Sequence, residues 1–540
     1  MLYFLYILWF VWEIKFILFW LYLWQLKEYH IGRFIDHFRT HKGKKLVFDF
    51  TQILKLVLLV FLLDASLSSY IYYIVIAVYL WELALFGRAI MSKSLKKPVK
   101  TFKTGFLSGV SFVIAGYFLV NILAFNTQSS QISWLLTFDI LTPVIISFVV
   151  LIFQPAFVAI RNRTLKQAEE KMRKIKSVSS MKVIAITGSY GKTSTKEFLA
   201  TILSKKYKVL STNNHQNSEI GIARAILNDL KPSHEIFIAE VGAYNKGKVK
   251  EVCNMLMPKF GVVTGVNQQH LALFGSMDNL LLAEGGGELL ASLSADGTIF
   301  VNGENKYCLD LIKKSDKLPE FQEKIYALAK HTVNANIWAD GVEVFKEYIS
   351  FLAINNSGQL AHFNVKVLGK QNVENLLGAI LIAHELGMSF EEIEQASKHI
   401  THEQGGMSLR RGKHDIEIID ASYSSNPNGV MADLEYLRVF TNKRAIIMPC
   451  LIELGKESGI IHERLGKKIG EVCDLAIVTS KDYFKEIKRG CLMAGMNEKN
   501  ILLCDKPHDT YSAITSFCKA GDAVLLEGRV PLKLIDLLTL

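Results

Sequence analysis

Cysteine is sparse in this 540-residue chain, and none of it is spaced for chemistry. The seven cysteines fall at 253, 308, 450, 473, 491, 504 and 518, with no CxxC pair among them. Thiolate zinc sites and redox motifs are thereby excluded, and unpaired thiols fit a reducing compartment. Ten prolines and 36 glycines are too few for a collagenous or low-complexity chain, and no internal repeat is visible. Basic charge is missing where a nucleic-acid enzyme would need it. Residues 177–540 carry 41 Lys and Arg against 42 Asp and Glu, which leaves no basic excess for a phosphate backbone.

The missing charge sits in the first third. Residues 1–176 hold 21 Lys and Arg against 9 Asp and Glu, and the mean hydropathy of the whole chain, +0.23, points to a membrane part. Five apolar segments are read at 2–24, 50–63, 70–86, 105–125 and 133–160. Most approach the ~20 residues that cross a hydrocarbon core. The second is short, as for half of a helical hairpin with the third. The loops after the first, third and fifth segments are dense in Lys and Arg, whereas 64–69 and 126–132 contain neither. This alternation predicts a multi-pass protein of the cell membrane, with its N-terminus outside and everything after 160 in the cytoplasm. Glu13, Lys15, Lys55, Glu82 and Asp139 lie in or beside the apolar segments. In the simple reading Glu13 and Lys15 pair or face the bundle and Lys55 snorkels; Glu82 and Asp139 are candidates for a polar substrate groove. The charged stretch 161–177 is predicted to be a linker helix.

A second kind of signal begins at residue 181. The run MKVIAI is followed by TGSYGKTSTKEFLATIL, which gives strand, glycine turn and amphipathic helix in the order a phosphate-binding loop requires. Gly188, Ser189, Tyr190 and Gly191 would wrap backbone N–H groups around phosphates. Lys192 would supply a point charge, and Thr193 and Ser194 would offer hydroxyls, Thr193 toward Mg²⁺. The glycine spacing is tighter than in GxxxxGK[ST]. Glu240 ends the apolar run EIFIAE, and the C-terminal ends of strands are where open α/β sheets bind ligands.

These residues resemble the ATP loop of the Mur ligases, the ATP-dependent amide-forming enzymes of cell-wall precursor synthesis. Further motifs follow in family order: NNHQNSEIGIARAIL, AEVGAYNKGKVKEV, PKFGVVTGVNQQHLALFGSMDNL, LGKQNVENLLGAILIAHELG, IIDASYSSNPNGVMADLEYL and MPCLIELGKESGIIHERLG. Within the family the chain is most similar to the UDP-N-acetylmuramoyl-tripeptide–D-alanyl-D-alanine ligases. The resemblance implies an α/β fold after the helical transmembrane bundle (1–160): a central P-loop ATPase domain at 178–405 and a Rossmann-like C-terminal ligase domain at 406–540. It implies ATP and Mg²⁺ as cofactors, with Thr193, Glu240, His270 and Glu284 as candidate metal-side residues. Lys192, His270 and Asp420 become the candidate catalytic residues. Asn217, Asn372 and Asn375 become candidate nucleotide contacts, although such amides also serve as turn residues and helix caps. Arg410 and Arg411, in the expected hinge GGMSLRRGKHD, either close over phosphates or are solvated.

Four departures accompany the resemblance. The stretch LAEGGGELL puts Gly286 where the family carries a carbamylated Lys, leaving Glu284 or Glu288 to supply a carboxylate. DASYSSNP has Ala421 in place of a second Asp. The family's HN pair reads Gln371-Asn372, and its KGSR reads EGRV at 527–530. In addition, only about 20 residues separate the last apolar segment from the first strand, too few for the usual UDP-substrate domain. The expected function is therefore a membrane-anchored amide ligase acting through an acyl phosphate on a cell-wall or surface-polymer precursor, with a lipid-linked acceptor. Its substrates would be that precursor and an amino acid or dipeptide; other cell-wall enzymes are candidate partners, and nucleic acid is not. The alternative is a catalytically weakened nucleotide-binding scaffold at the membrane.

Overall fold

A computed structural model describes residues 2–47, 49–62, 68–91, 95–124, 127–213, 216–242, 245–315, 322–330, 334–422 and 426–539. The chain divides into two compact units, Met1–Asn162 and Arg163–Leu540.

The first unit is helical: α1 Leu2–Leu26, α2 Ile31–His37, α3 His41–Val47, α4 Phe50–Phe61, α5 Ser68–Met91, α6 Phe102–Ile122 and α7, which begins at Gln128. Helix α1 is apolar on all sides, so it buries on several. Trp9, Trp12, Trp20 and Trp24 are all buried, and Trp24 stacks on Phe34 with ring centroids 3.9 Å apart. Among the described residues, four helices, α1, α5, α6 and α7, are long and apolar enough to cross a membrane. Of the five apolar segments read from the sequence, the short second one is α4, which is not among these four. The 12 residues of α4 rise only about 18 Å, short of a hydrocarbon core of about 30 Å. The alternation of basic loops needs an odd number of crossings, so α4 and α5 are the segment on which the expected orientation turns. Lys55 does not snorkel. It is fully buried and ion-paired to Glu82 and Asp139. Of the two readings for Glu13 and Lys15, Glu13 follows that of facing the bundle, fully buried, while the Lys15 ammonium lies over the Trp12 ring.

The stretch 161–177 is helical and forms part of α7. Helix α7 runs unbroken through Gln128–Val178, with Pro143 and Pro155 inside it. Its last turns belong to the second unit, where Leu165, Ala168, Met172 and Ile175 enter the α/β core. Lys171 Nζ donates to Leu227 O (2.9 Å) and Lys176 Nζ to Met257 O (2.7 Å). The linker charge thus satisfies carbonyls at the C-terminal ends of two core helices.

The second unit holds two sheets. The larger comprises β1 Lys182–Thr187, β2 Val209–Ser211, β3 Ile236–Glu240, β4 Phe260–Val263, β5 Thr298–Asn302, β6 Gln322–Ala327, β7 Ile337–Val344, β8 Ile349–Asn355 and β9 Leu360–Val365. Their order is β2-β3-β1-β4-β5-β6-β7-β8-β9. β7, β8 and β9 pair antiparallel; the other pairs are parallel. Strands such as KVIAIT and IFIAE are buried on both faces, as parallel strands covered by helices must be. Helix α8 (Lys192–Leu203) and the helix Gln371–Glu385 cover one face. The end of α7 and the helices Glu219–Asn228 and Lys248–Leu256 cover the other. The smaller sheet comprises β10 Ser408–Arg411, β11 Glu417–Ala421, β12 Arg444–Met448, β13 Leu475–Val478, β14 Ile501–Leu503 and β15 Ala523–Glu527, ordered β10-β11-β15-β12-β13-β14. Only β10 is antiparallel. The expected hinge residues Arg410 and Arg411 therefore sit on an edge strand of this sheet; the link between the sheets is the short 3-10 turn His402–Gly405.

Candidate nucleotide and ligation site

The loop after β1 lies between β3 and β4, where the strand order reverses, and this is the crevice in which open α/β sheets take ligands. Gly188 and Gly191 both have positive φ (138° and 77°), and Gly191 caps α8. A Cβ at Gly191 would stand 2.5 Å from Asn375 Oδ1, so Asn375 buttresses the loop from behind. Ser189 N donates to Gly265 O at 2.7 Å, which pins the turn. Lys192 Nζ folds back to donate to Gly188 O at 2.5 Å.

Two carboxylates converge on the loop's hydroxyls. Glu240, at the end of β3, accepts from Thr193 Oγ1 and from Asn217 Nδ2, each at 3.0 Å. Buried Lys196, one turn beyond Lys192, lies 3.6 Å from the same carboxylate. Sequence reasoning passed over it, although its i, i+4 spacing from Lys192 was the available signal. Glu284 is buried; its Oε2 accepts from Ser189 Oγ at 2.9 Å and its Oε1 lies 2.8 Å from His270 Nδ1. Burial pushes this carboxyl up, but the bonds to His270 and Ser189 and the nearby charge of Lys192 hold it below its ordinary value.

Gly286 could not have supplied the carboxylate by carrying a long side chain. Its φ is +87°, and a Cβ there would meet Val263 Cγ2 at 2.5 Å. Glu288 faces elsewhere: it accepts from Gly247 N and Lys250 N, and so caps the helix Lys248–Leu256. Of the two candidates, Glu284 is the one at the loop.

Three expected contacts are otherwise engaged. Tyr190 turns inward, its hydroxyl accepting from Asn305 Nδ2 at 3.0 Å and its ring lying against Gly265. Burial pushes its phenol up. Asn372 is buried, and its amide donates to Leu368 O and Gly405 O, tying the helix Gln371–Glu385 to the link between the sheets. Arg411 pairs with Asp415 at 2.8 Å, well exposed. Ser194 is half-buried on the first turn of α8.

The second sheet contributes from its C-terminal edge. Asp420 accepts from Ser422 N and Oγ and lies 3.4 Å from Arg410. The stretch 423–425 of the DASYSSNP motif lies outside the described residues. The two sheets' domains meet through polar contacts that sequence reading missed. Asn267 Nδ2 donates to Asn426 Oδ1 (2.9 Å) and Asn428 Oδ1 (3.1 Å). His270 Nε2 lies 3.8 Å from Glu453 Oε2. Both residues have positive φ (58° and 67°), a conformation that costs energy in non-glycine residues and collects at functional sites. Gln371 Nε2 donates to Asp433 Oδ1 at 3.0 Å, and Asp433 stands against buried Glu527. Burial pushes the Asp433 carboxyl up to about 7; burial and the Asp433 charge push Glu527 up as well.

Among the described residues, no three His, Cys, Asp or Glu side chains meet in a metal cage. The donors present are oxygen-rich and include a hydroxyl, which fits Mg²⁺ held jointly with phosphate oxygens.

Two family models match the chain: the Mur ligase middle domain over residues 186–383 and the Mur ligase glutamate ligase domain over 407–530. Curated relatives named UDP-N-acetylmuramoyl-tripeptide–D-alanyl-D-alanine ligase include one from Synechocystis, 27% identical over 53% of this chain and 59% of its own length. Another, from Borreliella burgdorferi, is 29% identical over 53% of this chain and 59% of its own length. The chain thus spans about three-fifths of these relatives' length. Solved structures share the fold. MurF from Acinetobacter baumannii has a TM-score of 0.62 at 20% identity, covering 70% of this chain and 80% of that one. The MurF ligase from Thermotoga maritima in complex with ADP has a TM-score of 0.61 at 22% identity, covering 70% and 83%. Matching models for both domains, in order and together over most of the α/β unit, make the chain a member of the Mur ligase family.

Proposed function

We propose that the chain is an ATP-dependent amide ligase of cell-wall precursor synthesis, working through an acyl phosphate. The observation that carries this reading is the pair of carboxylates on the phosphate loop, Glu240 on Thr193 and Glu284 on Ser189. Residues Gly188–Ser194 would cradle the phosphates, and Lys192 would swing from Gly188 O onto them. Thr193, Glu240, Glu284 and His270 are the residues to hold Mg²⁺, which when bound offsets charge on the transferring phosphoryl group. Asn217 orients Glu240. Asn375 braces the loop, and Asn372 acts through the link between the sheets. Asp420, on the edge facing the loop's domain, is the remaining acid for the amine side, with Arg410 beside it.

The reading extends to the membrane. The helical unit anchors the ligase as a multi-pass protein of the cell membrane, with the α/β unit cytoplasmic. The acceptor is a lipid-linked precursor carrying a free carboxylate, and the amine comes from an amino acid or dipeptide. Support comes from the four apolar helices and from the basic loops, which attract anionic head groups by about 1 kcal/mol per Lys or Arg. A tethered enzyme also gains effective concentration for substrates held in the same plane.

The test is phosphate release by the full-length protein in lipid nanodiscs, with D-alanyl-D-alanine and either a lipid-pyrophosphate-linked or a UDP-linked muramoyl tripeptide. Release that needs both amine and carboxylate, and is faster with the lipid-linked form, is expected. Preference for the UDP-linked form would remove the lipid-linked acceptor. The second reading, a weakened scaffold, draws on the Asp433–Glu527 acid pair, which stands where the resemblance leads one to expect a Lys. Nucleotide binding without release under any substrate combination would select it.

A further inference from the structure

The helical unit contains a polar chain that anchoring does not require. Lys55 Nζ (α4) lies 2.6 Å from Glu82 Oε2 (α5) and 2.5 Å from Asp139 Oδ2 (α7). Asp139 also accepts from the Tyr79 hydroxyl at 3.1 Å and the Trp12 indole at 3.4 Å. Glu13 (α1) has no accessible surface. Its charged neighbours are Asp139, Lys55 and Glu82; Lys15 and Asp49 complete the set around the cluster. The ionisable side chain of α6, Lys103, is engaged elsewhere, with Gln154. Among the described residues of this unit, Lys55 is the fully buried ammonium; it faces three carboxylates, and its short contacts go to two of them.

Glu13 is the one left over, and among the described residues its polar contact is with Thr142. Thr142 Oγ1 lies 2.5 Å from Glu13 Oε1 and 2.9 Å from Phe138 O. A threonine hydroxyl has one hydrogen to donate. One hydrogen shared between two acceptors makes two weak bonds; both contacts are full-strength hydrogen bonds when Glu13 supplies the second hydrogen. Glu13 Oε2 has no hydrogen-bond partner. A carboxylate oxygen so placed in an apolar bundle is costly, and the carbonyl oxygen of a neutral acid much less so.

We propose that Glu13 is a proton-binding site of the bundle: its Oε1–H donates to Thr142 Oγ1, which in turn donates to the Phe138 carbonyl. The ligand is a proton rather than a metal ion, because no three His, Cys, Asp or Glu side chains among the described residues form a metal cage. Loss of the proton would leave Thr142 with two competing acceptors and the cluster with a further uncompensated charge. The α1–α7 contact is therefore the part of the bundle that responds to proton uptake and release. The inference rests on reading this unit as a membrane bundle, and its test reads a protonation state rather than ligation or insertion, so the two fail separately.

The experiment is infrared spectroscopy of the full-length protein in lipid nanodiscs at neutral pH, following carboxylic-acid C=O bands, which stand apart from carboxylate bands and shift in D₂O. One such band should vanish in Glu13→Gln. It should persist but shift to higher frequency in Thr142→Val, which removes its hydrogen-bond partner and keeps Glu13. It should be unchanged in Glu527→Gln, whose acid lies in the other unit. A spectrum in which Glu13→Gln removes no band, or in which Thr142→Val leaves every band in place, would overturn the proposal. A band that disappears when sodium replaces choline in the buffer would overturn it in favour of a metal cation.

Discussion

The acid pair in the C-terminal domain gives a stability prediction of calculable sign and size. Asp433 is buried, and its carboxyl is pushed up to about 7 by that burial; an unfolded aspartate titrates near 3.9. Between about pH 4 and pH 7 the folded chain therefore keeps a proton that the unfolded chain has released. Stability is highest below the unfolded value and falls as pH rises through the folded one. A gap of about three units at about 1.4 kcal/mol each sets the scale at about 4 kcal/mol. Glu527→Gln removes the second acid, whose own carboxyl is pushed up by burial and by the Asp433 charge, and leaves in place the burial that raises Asp433. The variant should therefore recover about 1–2 kcal/mol at pH 8, a rise in midpoint of roughly 2–8 °C for a domain of this class. The gain should be markedly smaller at pH 5. Scanning calorimetry of the full-length wild type and variant at both pH values reads this directly. A variant less stable than wild type at pH 8, or a difference equal at both pH values, would refute the idea that the pair retains a proton.

Three further outcomes follow from the site. Lys192→Ala should lose nucleotide-dependent turnover by roughly a thousandfold, because a point charge at a partly closed phosphate site is worth several kcal/mol; near-normal turnover would remove the loop assignment. Gly286→Ala should destabilise the protein by roughly 2 kcal/mol or more in thermal unfolding, since it adds left-handed strain and a close contact with Val263. Glu284→Gln should lower Mg²⁺-dependent turnover by about a hundredfold or more at nearly unchanged stability. Glu288→Gln should do the reverse, costing about 1 kcal/mol of helix capping; equal effects of the two on turnover would contradict the separate roles.

What was legible in the sequence is what is local. Strand, glycine loop and helix follow one another within residues 182–203, so this local order and the places of Lys192 and Thr193 in it could be read directly. Glu240 was legible because a strand terminus is itself a local feature. The choice between Glu284 and Glu288 was not, because both lie on short helices around a run of glycines and only tertiary contacts separate the loop carboxylate from the helix cap. Asn372 looked like a ligand amide because nothing in its neighbourhood reveals that Gly405 comes round to receive it. Lys55 looked like a snorkelling residue because its two partners are 27 and 84 residues away. The passage from apolar to charged composition near residue 160 resembled a boundary between elements, yet helical structure continues across it, within Gln128–Val178.

That continuity has a consequence for any form of the protein that lacks the helical unit. Composition suggests cutting at Ser177, just before the first strand. Leu165, Ala168, Met172 and Ile175 are buried in the α/β core, and three of them are large apolar side chains worth about 1.5–3 kcal/mol each when fully buried. Deleting them forfeits roughly 5–9 kcal/mol and exposes the apolar faces of the helices they cover. Whole-domain stabilities are only about 5–15 kcal/mol. The two core carbonyls held by Lys171 and Lys176 would be released as well. A chain beginning at Arg163 should therefore fold and bind ATP, whereas one beginning at Ser177 should aggregate or unfold near physiological temperature. Expression of the two side by side, with thermal unfolding and nucleotide binding measured on each, decides the point. Equal stability of the shorter form would mean that the end of α7 only rests on the α/β unit and forms no part of its core.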